Sequence, residues 1–128
     1  MTQATQIIVP MLTDAAGILP HRIAMTSTQN LDRVVSANSA NNGSIFFALL
    51  GVTGELGIDP NSIGDLTVAG IGYIRMNQAG MPVAAPVTSD ALGQGILANV
   101  TGQRYVGFLL EPATVGQISK ILICPGIV

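Results

Sequence analysis

The sequence predicts an all-β fold: a small single-domain β-barrel or sandwich with glycine-rich turns, a long Ser/Asn-rich loop and an extended amino-terminal segment. Three observations carry this reading. Turn signals recur at regular spacing through the second half, at Asn77-Gln78-Ala79-Gly80, Asp90-Ala91-Leu92-Gly93, Asn99-Val100-Thr101-Gly102 and Pro112 to Gly116. Short apolar runs lie between them, the arrangement of a small all-β domain. Glycines interrupt nearly every candidate helix, each costing about 1 kcal/mol relative to alanine. The 128 residues fit one domain, and 48% hydrophobic residues supply a core. Residues 1–12 read as an arm or edge strand, and residues 13–128 as a single β domain.

Taken in order, Gln6 to Met11 is an extended apolar segment. Pro10 cannot donate to a ladder, which places the segment at an edge. Arg22 to Thr26 is a strand following the turn at Pro20. Thr26 to Ser44 is rich in Ser, Thr and Asn and forms a long loop, with Arg33-Val34-Val35 as a short strand inside it. Ile45 to Val52 is the most hydrophobic run, either a strand or a single buried helix. Asp59-Pro60-Asn61-Ser62 is a turn that could also cap a helix.

The second half gives Leu66 to Met76, Met81 to Val87, Gly95 to Ala98, Tyr105 to Leu110 and Ile118 to Cys124 as strands. Glycines in Val68-Ala69-Gly70-Ile71-Gly72-Tyr73 indicate a bulge or close backbone approach. In the last strand Ser119, Ile121 and Ile123 share one face, and Ile118, Lys120 and Leu122 the other. Both faces are mostly apolar, so the outer one is expected to meet a partner or neighbouring subunit. No internal repeat stands out; Phe46 to Gly54 and Val106 to Gly116 echo one another only loosely.

Charge narrows the function. Charged residues make up 9%, against about 25% in an ordinary domain, and net charge is −2. The mean hydropathy of +0.54 is that of a folding chain rather than a disordered one. The apolar run Ile45 to Val52 is too short to span a membrane, which takes about 20 residues. Five scattered cations make no phosphate-binding patch, so no nucleic-acid partner is expected, and no membrane partner.

The residues that carry chemistry are sparse. His21 is the only histidine, and no Gly-x-Ser-x-Gly elbow supplies a nucleophile for it. The single cysteine, Cys124, lies among apolar residues and reads as a small buried hydrophobe. Gly51-Val52-Thr53-Gly54-Glu55-Leu56-Gly57 is glycine-rich, yet it lacks the Gly-Lys-Ser/Thr of a phosphate loop and carries Glu55, so it reads as a turn. No catalytic, cofactor-binding or metal-binding residues are assigned, no cofactor is expected, and the chain is not read as an enzyme.

The order Tyr73-Ile74-Arg75-Met76, Met81-Pro82-Val83, Leu92-Gly93-Gln94-Gly95-Ile96-Leu97, Tyr105 to Ala113, Thr114-Val115-Gly116-Gln117-Ile118 and Lys120-Ile121-Leu122-Ile123 resembles the small capsid decoration, or cement, proteins of tailed bacteriophages. The resemblance spans Gly70 to Gly126. It implies a structural virion protein on the outer surface of the capsid. Its implied partners are the major capsid protein and further copies of itself, as a homotrimer. Gln6, Ile7, Ile8, Val9 and Met11 are then the candidate capsid contacts, because Gln6-Ile7-Ile8-Val9 has high β propensity and no charge to guard its edge. A second reading is a virion surface or tail-associated β domain that binds a host or glycan, against which the absence of tryptophan counts.

Overall fold

The computed structural model describes residues 6–27, 29, 32–38 and 49–128, and these are all-β. Nine strands follow in chain order: β1 (Gln6–Leu12), β2 (Ile23–Thr26), β3 (Val34–Ser36), β4 (Leu49–Thr53), β5 (Ile63–Arg75), β6 (Pro86–Ser89), β7 (Gly95–Leu97), β8 (Arg104–Leu109) and β9 (Ile118–Ile127). Every named pairing is antiparallel, and the ladders run β3-β2-β4-β5-β9-β8-β6-β7, with β1 added alongside β5. The sheet is not closed into a barrel. Its terminal strands β3 and β7 are three residues each, and among the described residues no ladder joins them. Single bonds reach the β7 end from elsewhere in the sheet, from Ile23 N–H of β2 to Gly93 O at 2.8 Å and from Asn77 N–H, just after β5, to Gly95 O at 2.8 Å.

The curled sheet encloses a core that draws on both ends of the path: Ile23 and Met25 from β2, Val52 from β4, Ile74 from β5, Val87 from β6, Val106 and Leu109 from β8, and Ile121 and Ile123 from β9. A second cluster, Ile18, Ala24, Val34, Ile58 and Leu66, is packed on by Met11, Leu50 and Val68. The long strand β5 serves both clusters, through Leu66 in one and Ile74 in the other. It passes close to its neighbours at Gly72, where a Cβ would lie 2.7 Å from Val52 Cγ2 and 2.8 Å from Ile123 Cδ1. A register shift between Ile7 and Ile8 leaves Val68 bulged opposite them, within the glycine-marked stretch.

Alternation in β9 is as the sequence indicates. Ser119, Ile121 and Ile123 are buried; Ile118 and Leu122 are exposed. The same alternation overturns the expected burial of Cys124, which is exposed. It falls two residues after Leu122, on the outward face. The β8–β9 register shifts between Tyr105 and Gly107, so Cys124 and Pro125 lie in the bulge, where proline's missing donor costs no ladder bond. The strand expected over Met81 to Val87 shrinks to β6, because Ala84 takes a left-handed backbone (φ 72) and turns the chain between Pro82 and Pro86. Residues 49–52 of the apolar run at Ile45 to Val52 fall in strand β4; the rest of that run, and residues 28, 30, 31 and 39–44 of the expected loop, lie outside the described residues.

The β1–β2 and β4–β5 turns interlock. Thr13, Gly17, Ile18, Pro20 and Ile23 recur as Thr53, Gly57, Ile58, Pro60 and Ile63, a repeat the sequence reading did not find. Thr13 Oγ1 donates to Asp59 O at 2.8 Å, and Thr53 Oγ1 donates to Leu19 O at 2.7 Å. In return Ser62 N–H donates to Thr13 Oγ1 at 3.4 Å and Arg22 N–H to Thr53 Oγ1 at 3.0 Å. Ile18 and Ile58 exchange both backbone hydrogen bonds at 2.8 Å. Gly17 (φ 67) and Gly57 (φ 62) are left-handed at matching places, and a Cβ on either would meet the other turn's carbonyl, Ile58 O at 2.7 Å or Ile18 O at 2.4 Å. The strands obey the same pseudo-twofold relation, since β1 pairs β5 as β4 pairs β2, with Leu12 opposite Ile63 and Val52 opposite Ile23.

Candidate interaction surface

The interlock fixes the tip of the second turn beside β1 and β5. With Gly57 held against the Ile18 carbonyl, Glu55 and Leu56 project outward, and Leu56 is 92% exposed. A groove of about 820 Å³ lies between this turn, β1, β5 and the start of β9. Its apolar wall is Ile8, Leu56, Ile63, Tyr73 and Ile118, each at least two-fifths exposed. Glu55, Asp59 and Asp65 also line it, and none of the chain's five cations does. His21 sits in the groove wall, its Nδ1 3.2 Å from Tyr73 O, and among the described residues no carboxylate or nucleophile is paired to it.

The groove opens onto the outward face of the β5–β9–β8 sheet. Ile71, Leu122 and Phe108 stand opposite one another across the three strands, and Tyr73 stands opposite Lys120. Leu122 is 43% exposed. Phe108 stacks obliquely on Tyr105, with ring centroids 5.0 Å apart at 54°. This is the apolar outer face expected from the two-sided pattern of β9.

A smaller depression, about 400 Å³, lies at the first turn and includes Leu19, Arg22 and Leu92. Arg22 donates to Pro20 O at 3.3 Å and to Leu92 O at 3.1 Å. Burial, and then the nearby Arg75, lowers its pKa, while Asp90 opposes them. Asp90 in turn accepts Leu92 N–H and Gln94 N–H at 2.8 and 2.9 Å, which shapes the turn into β7.

The five candidate contact residues all fall in β1, paired along β5. Ile7 and Ile8 are exposed, 59% and 49%; Gln6, Val9 and Met11 are half-buried. Gln6 Nε2 donates to Ile71 O at 2.9 Å, and Met11 packs on the second cluster. Gln6 and Ile8 reach the groove, and the other three do not line it. Sequence reasoning missed Leu56, Ile63 and Asp65 as surface-forming residues. The available signal was an aliphatic residue at the tip of a glycine-flanked turn, where core packing has no use for it. Among the described residues, no group of three His, Cys, Asp or Glu side chains comes together that could hold a metal ion.

No family model and no curated protein matches the sequence. Among solved structures the chain is similar to the head fiber gp8.5 N base of bacteriophage phi29, with a TM-score of 0.62 and 13% identity, over 92% of this chain and 95% of that one. At that identity the likeness is one of fold.

Proposed function

We propose that this chain is a structural protein of a bacteriophage virion, a head-surface subunit that docks on the outside of the capsid shell. The observation that carries the reading is the near end-to-end fold likeness to a phage head fiber base. The surface supports it. An exposed apolar sheet face continues into an apolar groove on a domain with 9% charged residues, the character of a part that is covered in its assembly. On this reading the chain catalyses no reaction, and its partners are the major capsid protein and other copies of itself, as a trimer. Ile7 and Ile8 of β1 are the residues of the candidate contact set best placed to meet the shell.

Two arrangements fit a head-surface subunit. In the first the chain is a decoration subunit that reinforces the shell, many weak copies acting together. In the second it is the base of a projecting fiber, favoured by the fiber base it resembles in fold. Immunogold labelling of purified virions in negative stain separates them. An even lattice over the head supports decoration, and label at the roots of projections supports the fiber base. Label confined to the tail overturns the head-surface reading.

A further inference from the structure

We infer that the groove between β1, β5 and the Gly54 to Ile58 turn docks a partner segment in which lysine or arginine stands beside aliphatic residues. The inference rests on the proposal that this chain is a docked structural subunit, and it names the chemistry of what one surface receives. The groove combines two features that ask for the same occupant. Its wall presents Leu56 and Ile63 at 92% and 70% exposure, together with Ile8, Tyr73 and Ile118. Its only charged side chains are the carboxylates of Glu55, Asp59 and Asp65, three of the seven acids in the chain. Among the described residues none of the three forms an ion pair or a side-chain hydrogen bond within the domain, so their charge is unanswered.

A purely aliphatic partner would cover the wall but would bring those carboxylates toward low dielectric without a counter-charge, which is costly. A highly charged basic tail would answer the carboxylates and leave Leu56 in water. A lysine or arginine does both jobs, laying its methylene stem along apolar surface while its head reaches a carboxylate. A second copy of this chain is a poorer donor. It has five cations, and Arg22 and Arg33 are already engaged with its own backbone carbonyls.

The test uses the full chain and three synthetic ten-residue peptides of alternating composition, Lys/Val, Glu/Val and Lys/Ser, titrated at low salt and followed by backbone amide NMR shifts and calorimetry. The Lys/Val peptide is expected to bind with shifts centred on Glu55 to Gly57 and Ile63 to Asp65, and the other two at least about tenfold more weakly. The E55Q/D59N/D65N variant should keep the native spectrum and lose about tenfold in affinity, and raised salt should weaken the parent protein to match it. Leu56→Ser alone should lose about fivefold. Equal binding of the Glu/Val peptide, shifts located away from the groove, or no binding at millimolar peptide overturns the inference. So does self-association in light scattering that Leu56→Ser abolishes, since a second copy is then the occupant. Head labelling of virions is scored separately: if it holds while the peptides fail, this inference falls and the head-surface proposal stands.

Discussion

Replacing Thr53 by valine should destabilise the protein by about 2–3 kcal/mol, although the two side chains have nearly the same shape. Thr53 is 1% exposed, and its hydroxyl donates to Leu19 O at 2.7 Å and accepts from Arg22 N–H at 3.0 Å. Valine removes both bonds and strands a carbonyl and an N–H of the opposite turn. Each lost bond is worth about 1 kcal/mol, and leaving its partner unsatisfied adds to that. For a chain of this size about 1 kcal/mol corresponds to about 4 °C, so the melting temperature should fall by about 8–12 °C. Thr53→Ser keeps the hydroxyl and loses one methyl, so it should cost only about 1 kcal/mol. Thr13→Val should repeat the pattern toward the lower end of the range, because the return bond from Ser62 N–H is longer, at 3.4 Å. Urea unfolding monitored by circular dichroism measures all of these, with an unchanged slope confirming that the compactness of both states is preserved. If valine costs no more than serine at position 53, the interlocking hydroxyls contribute nothing and the reasoning fails.

The other expectations are simpler to check. Gly57→Ala should prevent folding or cost more than about 3 kcal/mol, because its Cβ would meet Ile18 O at 2.4 Å; Gly102→Ala, left-handed at φ 86 but facing open space, should cost only about 1–2 kcal/mol by the same denaturation assay. Cys124 should be modified rapidly by a thiol reagent in the native protein, and Cys124→Ser should change the melting temperature little. Deleting residues 1–12 removes the whole β1 ladder along Ile63–Gly70 and should unfold or aggregate the protein; a truncated chain that keeps its melting temperature would contradict this. Leu56→Ser should leave stability within about 0.5 kcal/mol, since the side chain is already in water.

Strands were legible in the sequence where turn chemistry bounded them. Gly80, Gly93, Gly102 and Gly116 all adopt positive φ at the turns their neighbours signal, and β7, β8 and β9 lie within a few residues of the runs between. Legibility failed where a property depended on pairing at long range. Cys124 has apolar neighbours in the chain, so its sequence reads as buried, but its exposure follows from the face β9 turns to the core. The open sheet depends on which strands pair at its two ends, which no local pattern encodes. The repeat of Thr13 to Ile23 in Thr53 to Ile63 does not stand out in the sequence, because turn-forming positions carry it while the flanking strands share little. The groove was hidden for the same reason: the turn at Gly54 to Gly57 was recognisable, but what its tip stands against is set by the interlock.

The interlocked turns have a consequence in time. The bonds of Thr13 and Thr53 reach across 46 and 34 positions of chain, and neither turn has its full set of bonds until the other is in place. Contacts so distant in sequence form slowly, because the intervening loop must close before anything is gained. The same condition governs the reverse process. Opening the first turn breaks the bonds of the second as well, so the two turns are lost together rather than one at a time. Such a domain should fold late and open rarely. Its survival is then set by the height of a barrier more than by the depth of a well.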